Sequence, residues 1–592
     1  MKNVLFIVVD SFGNKNSQSL NFDVTPFLSE LKQKSLYYSH MYSQAPYTEA
    51  AVMSMLCGHD TLDNGGYYYR YRDSKNLFDC FYENNYQVIN YIQPHVFPSS
   101  IIRGNTHYYY NVCFDFNVLW EYRLYFYQSI RTKLTNLDYT KIEKLIDDNF
   151  MGWIQFFKEY LHNDDSISLI KNNIERTISD KQVKESLDLI EEQFTLYKVN
   201  NKEYIDDLLE LGKQHILFNV PVLNQNVKIS SETKKWLKKN YYSLFKGIYA
   251  KNKKMNKKIS KFKLFDFLSN FHLFLKTKDK NDIKNALRYI KNYRDAYVDN
   301  DLFERIGEEY DAFKAAPSIH QHFEHFINVL EKKEDNRPFF GCLHIDDIHN
   351  PEIFFTYDTD DKEVLKEELD LCQDIFNRID DKEIGSVSYY LSLAYIDLKL
   401  KKIFEKLEEL KILDDTYVVI TGDHGFSFDN RIIRNSRVNN FYLENYQVPL
   451  IIYSKDIKTH YYSNKCSSKD ILPTLVDLCQ LETDAHITGI SLLNDRFNDV
   501  ITTEYVGGGC PELEYREVFI TAQNNDWMIV GRASLINNTD ISIKEVYHLA
   551  VDVDQRKNLA YSHINNCSYE IVFKTLQERV KELRINYSKW KL

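Results

Sequence analysis

"VLFIVVDSFG", residues 4–13, decides how the rest of this chain is read. Residues 4–9 are all apolar and run straight into Asp10. The run is too short for the apolar stretch of a signal peptide, and the acid that ends it marks a buried strand whose next side chain leaves the core. "TYVVITGDHG" (416–425) repeats the construction, with residues 417–421 leading through Gly422 into Asp423-His424-Gly425. "FFGCLHI" (339–345) is followed by Asp346, Asp347 and His349. Ligand and catalytic groups in α/β sheets gather outside the carboxyl ends of strands, so acids far apart in sequence can meet there.

Around these runs the chain has a consistent texture. Residues 1–115 alternate short apolar runs ("VLFIVV", "YQVINYI") with helical stretches ("TPFLSELKQKS", "SKNLFDCFYENN"), which predicts βαβ units and a largely parallel sheet. Residues 116–335 read as a large helical insertion: "YTKIEKLIDDNFMGWIQFFKEYL" and "DKQVKESLDLIEEQFTLYKV" show apolar residues at helical spacing with almost no Gly or Pro. Within it, residues 246–263 carry eight lysines and no acid, either a solvated helix face or a patch for a polyanionic acceptor or membrane surface. Strand–helix alternation resumes over 336–495. Residues 496–592 hold shorter strands and a closing charged helix, a small C-terminal α+β subdomain.

Composition limits the function classes. Hydrophobic content of 44% and charged content of 27% belong to a soluble globular protein, and a net charge of −11 gives no support to nucleic-acid binding. No stretch approaches the roughly 18–20 apolar residues that span a bilayer. Nine scattered cysteines without CxxC spacing, and no export signal, predict reduced thiols and a cytoplasmic location.

"QAPYTEAAVMSMLCG" (44–58) reads as a helix after Pro46, with Thr48 as N-cap, acidic Glu49 behind it and Gly58 as the stop. Thr48 is either a cap or a nucleophile set where backbone N–H groups hold an anion. Two carboxylates (Asp10, Asp423), the His424 imidazole and a hydroxyl suit a divalent cation such as Zn²⁺ or Mn²⁺, with Ca²⁺ or Mg²⁺ as alternatives. Taken singly each has an ordinary role: Asp10 as a cap, His424 as a turn histidine, His344 as a core residue.

"VLFIVVDSFG", "APYTEAAVMSMLCG", "LHIDDIHNP", "DDTYVVITGDHGFS", "YQVPLIIYS", "KDILPTLVDLCQLETDAHITGISLL" and "EVYHLAVDVDQRKNLA" occur in an order and spacing that resembles the sulfatase and alkaline phosphatase superfamily. The similarity covers about residues 1–115 and 336–565. It implies an alkaline-phosphatase-like central sheet flanked by helices, and a metal held by Asp10, Thr48, Asp423 and His424. It also implies Thr48 as nucleophile and His349 facing the substrate or leaving group. Sulfatases carry Cys or Ser in Cys/Ser-x-Pro-x-Arg for conversion to formylglycine. Here the segment is Thr48-Glu49-Ala50-Ala51-Val52, so that chemistry is not expected. One acid at the first strand, a threonine and Asp-His instead resemble the lipoteichoic acid synthases and lipid A phosphoethanolamine transferases, which work through a phosphothreonine. The additional histidine that two-zinc members place after Asp-His-Gly is not evident in residues 426–450.

The expectation is an enzyme that transfers or hydrolyses a phosphoryl-linked group through Thr48, in surface-glycan modification. Its partners would be a phosphoester or nucleotide-activated donor and a glycan acceptor. A phosphodiesterase or phosphatase, a sulfuric ester hydrolase without formylglycine, and an inactive scaffold are the alternatives. Glu504 and Tyr505, beside Gly507-Gly508-Gly509, are the expected substrate contacts.

Overall fold

The computed structural model describes residues 1–14, 24–63, 75–92, 108–109, 180–218, 319–331, 336–348, 362–378, 387–426, 441–505, 517–560 and 564–590, with scattered residues between these ranges. Among the described residues, eight strands form the main sheet: β1 Asn3–Val9, β2 Leu36–Tyr42, β3 Gln87–Tyr91, β4 Tyr108–Tyr109, β5 Phe339–Ile345, β6 Thr416–Gly422, β7 Gln447–Tyr453 and β8 His460–Ser467. Their order is β4-β3-β5-β1-β6-β7-β2-β8. All run in one direction except β7, which is antiparallel to both β6 and β2. A second sheet, β9 Ile501–Tyr505, β10 Glu517–Gln523, β11 Trp527–Ser534 and β12 Ser542–His548, is antiparallel and carries helix Cys567–Trp590. That helix buries Val572, Leu576, Val580 and Leu583, one face at three- to four-residue spacing, in the same core as Val518, Ile520 and Ile529 of the sheet.

β1 is buried on both faces, as a central strand of a parallel sheet must be. Val4, Phe6 and Val8 point into a core shared with helix Thr48–Cys57, whereas Leu5, Ile7 and Val9 point into one shared with helix Val387–Glu409. In helix Thr48–Cys57 every residue from Met53 to Cys57 is buried, and Gly58 ends it at φ 68°, its N–H donating to Ser54 O at 2.9 Å. In the region of the expected insertion, Asp180–Val199, Asn201–Leu211 and Ile319–Glu331 are helices. Ile146, Phe150, Trp153 and Phe157 are buried at helical spacing. The lysine-rich stretch 246–263 lies almost wholly outside the described residues. Among the described residues no helix is long and apolar enough to cross a membrane.

Helix Val387–Glu409 supports the early part of the chain from beneath. Helix Pro26–Leu31 has no side-chain cap of its own, and Asp397 accepts the N–H groups of Phe27 (3.0 Å) and Leu28 (2.7 Å) instead. Burial pushes the Asp397 carboxyl up to about 7, against the pull of those two amides. An acid whose folded pKa is raised favours the fold below its unfolded value of 3.8, and that contribution is lost as pH rises through about 7. Wild type should therefore lose stability relative to Asp397→Asn between pH 4 and pH 8. The change should be up to about 4 kcal/mol, checked by urea denaturation of both chains across that range.

Candidate active site at the carboxyl edge of the sheet

Register brings the acids together. Val9 pairs with Ile345 on one side and Gly422 on the other, so the next residues along, Asp10, Asp346 and Asp423, stand at one level on the sheet edge. Side chains alternate along a strand, and Val8, His344 and Thr421 share a register row. Two residues on, Asp10, Asp346 and Asp423 therefore continue the face against which helix Thr48–Cys57 packs.

The Thr48 hydroxyl donates to Asp10 Oδ2 at 3.0 Å and lies 3.3 Å from His424 Nε2. His424 Nε2 is 3.7 Å from both Asp10 Oδ1 and Asp423 Oδ2. Its Nδ1 sits 2.8 Å from the carbonyl of Gly425, which can only accept, so Nδ1 carries the proton and the Nε2 face is turned to the carboxylates. Asp423 Oδ1 accepts two backbone amides, from Ser11 (3.0 Å) and His424 (2.6 Å), whereas Oδ2 is buried without a hydrogen bond. Asp-His-Gly requires its glycine, because a Cβ at Gly425 would lie 2.0 Å from the Glu444 carbonyl oxygen.

Four side chains that the sequence singles out as metal ligands, Asp10, Thr48, Asp423 and His424, thus converge. Thr48 is not the N-cap, however. Tyr47 occupies that position with extended backbone, and Thr48 is the first helical residue, its hydroxyl turned to Asp10 rather than to the helix amides. His349 lies outside the described residues, as does the side chain of Tyr505. Glu504 takes a different role from the expected substrate contact. Its carboxylate has no solvent exposure, accepts the Leu62 N–H at 3.0 Å and is ion-paired with Arg579. A carboxylate enclosed in this way is committed to internal partners.

His344, read from sequence as a core residue, is buried but belongs to this cluster. Its Nδ1 is 3.0 Å from Asp346 Oδ1 and its Nε2 3.8 Å from Asp423 Oδ2, and Asp10, His344 and Asp423 can bring ligand atoms within 4.8 Å of one another. Burial opposes charge on this imidazole, but Asp346 and Asp423 outweigh it and raise its pKa well above 6.5. Burial likewise works against the Asp423 carboxylate, and His424, His344 and the backbone amide of His424 together hold it below its usual range. The available sequence signal is parity: a histidine two residues before a strand-end acid projects on that acid's face.

This donor set fits a divalent cation. Ligand bonds of about 2.1 Å at tetrahedral angles leave ligand atoms about 3.4 Å apart, close to the 3.0–3.7 Å separations here. The bond from His424 Nδ1 to a carbonyl is the usual orientation of a metal-ligating histidine, and buried Asp423 Oδ2 supplies a donor with no protein hydrogen bond.

The sulfatase family model matches residues 2–156 and 235–481, well over half of the chain, which therefore belongs to the sulfatase family. Members of this group use divalent metal ions. The choline-sulfatase of Rhizobium meliloti (strain 1021) is 26% identical over 186 residues, 31% of this chain and 33% of that protein. Arylsulfatase K of Homo sapiens is 31% identical over 120 residues, 20% of this chain and 22% of that protein. The matched segments span a third or less of those curated relatives. The phosphonate monoester hydrolase of Agrobacterium radiobacter overlays on 99% of this chain and 96% of its own, at 13% identity and a TM-score of 0.48.

Removing the imidazole from between Asp346 and Asp423 would leave two carboxylates without their shared cation. His344→Ala should destabilise the metal-free protein by about 3–5 kcal/mol. A histidine with a raised folded pKa contributes fully below its unfolded value and loses that contribution as pH rises through the folded one. The gap between wild type and variant, measured by denaturant unfolding in chelator, should therefore be widest near pH 6 and shrink in alkali.

Proposed function

We propose that this sulfatase-family enzyme acts on phosphate esters through a covalent phosphothreonine at Thr48, with a divalent cation held by Asp10, Thr48, Asp423 and His424. The observation that carries the reading is the Thr48 hydroxyl itself: on the first turn of a buried helix, hydrogen-bonded to Asp10 and beside His424 Nε2. Such a cation supplies Lewis acidity and lowers the pKa of the neighbouring hydroxyl. Thr48 Oγ1 forms the bond to phosphorus as the bond to the leaving oxygen breaks, and its proton departs toward Asp10 Oδ2. The first-turn amides, which have no intrahelical partners, are suited to hold the phosphoryl oxygens. His349 is the candidate donor of a proton to the leaving oxygen. Water or a sugar hydroxyl then attacks phosphorus, giving its proton to His349 as the bond from phosphorus to Thr48 Oγ1 breaks, and Thr48 Oγ1 takes back its own proton from Asp10 Oδ2.

Sulfate ester hydrolysis is the second reading, favoured by the sulfatase activity named for the curated relatives. Thr48 stands where that chemistry needs a residue convertible to formylglycine, which favours phosphate. Purified protein should hydrolyse a chromogenic phosphodiester with Mn²⁺ faster than a chromogenic sulfate. Thr48→Ala should lower kcat by at least about a thousandfold. Acid-quenched wild type should carry one phosphoryl group on the peptide containing Thr48. Preferred turnover of the sulfate, or full activity in Thr48→Ala, would overturn the proposal. A glycan acceptor that diverts product from water would favour transferase over hydrolase.

Chelation supplies a separate check. Dialysis against EDTA should abolish turnover and Mn²⁺ should restore it, whereas Asp423→Asn should remain inactive at any Mn²⁺ concentration.

A further inference from the structure

Ser11 clamps two of the strand-end acids, Asp10 and Asp423. Its N–H donates to Asp423 Oδ1 at 3.0 Å and its hydroxyl to Asp10 Oδ1 at 2.6 Å, so one oxygen of each carboxylate is engaged by the same residue. The remaining oxygens face Thr48, His424 and His344. To make both contacts Ser11 adopts φ 60°, a left-handed conformation in which serine does not settle unaided. Something must hold the turn there.

We propose that Tyr389 is that holder, a positioning residue for the metal centre; the inference rests on the cation-dependent reading above. Its hydroxyl donates to the Ser11 carbonyl at 2.9 Å and accepts the Gly13 N–H at 3.2 Å, an amide shared with Ser11 O at 3.0 Å. The phenol therefore grips the turn on both sides of Phe12. Its ring stacks on Phe426, the residue after Asp-His-Gly, with centroids 5.0 Å apart and planes 15° from parallel. A Cβ at Gly13 would lie 3.2 Å from Phe426 N and 3.3 Å from Gly425 Cα, so the two turns also touch backbone to backbone. One fully buried side chain thus braces the turn that bears Asp10 and the turn that bears Asp423 and His424.

A tyrosine that only satisfied buried backbone groups would change folding stability and leave cation affinity alone. One that positions the acids would change the affinity of the folded protein. Tyr389→Phe keeps the ring and its stack and deletes the hydroxyl. Titration calorimetry with Mn²⁺ on the metal-free chain should show affinity about 10- to 100-fold weaker than wild type, the loss that outer partners of a metal site produce. Metal-free melting in EDTA, followed in parallel, reports the purely structural share. Ser11→Ala approaches the same turn from the acid side and should also weaken Mn²⁺ binding. The double variant should lose less than the product of the two single losses, because both act through one turn. Wild-type Mn²⁺ affinity in folded Tyr389→Phe, whatever its melting temperature, overturns the positioning role alone. If Tyr389→Phe does not fold, wild-type affinity in Ser11→Ala overturns it instead. Wild-type protein that binds no Mn²⁺ overturns the cation-dependent reading and this inference with it.

Discussion

Everything at this site depends on β1 lying between β5 and β6 in matched parallel register. Burial of the strands' apolar side chains sets that register, and the acids just beyond the strand ends take no part in it. Yet it fixes where Asp10, Asp346 and Asp423 emerge. A slip of one residue would turn each acid to the opposite face, away from Thr48. The apolar residues 4–9 are therefore a ruler as much as a core, and their burial on both faces gives the ruler its rigidity.

Gathering carboxylates at a buried edge carries an electrostatic cost, and the fold offsets it locally. Amides of Ser11 and His424 take one oxygen of Asp423, and His344 stands between Asp423 and Asp346. These partners leave Asp423 ionised and preorganised, the state in which it can accept a cation. Thr48 completes the arrangement from a separate element whose buried helix allows it little freedom.

The sequence is most legible where a residue's role depends on its neighbours in the chain. Apolar runs that end in acids announce β1, β5 and β6, and Gly58 stops its helix as its position suggests. β2, "LYYSHMY", and β8, "HYYSNKCS", do not read as strands, because serine, histidine, asparagine and lysine interrupt their apolar pattern. They are strands because they pair with each other, and β2 with β7 as well, a non-local property. The same limit explains where the site departs from expectation. Thr48 has the local signature of a cap, but its hydroxyl partner lies 38 residues away. Glu504 looks available beside a glycine-rich stretch, and nothing local signals Arg579, 75 residues on. His344 reads correctly as buried, but its chemistry comes from Asp423 on another strand.

The central position of β1 has a consequence for synthesis. Its partners, β5 and β6, come about 340 and 410 residues later, so at about 5–20 residues per second tens of seconds pass before either leaves the ribosome. Throughout that interval an uncharged, β-prone segment waits without its ladder, the kind of stretch that pairs with other chains when exposed. The strand at the centre of the finished sheet is thus unpaired for much of the chain's synthesis.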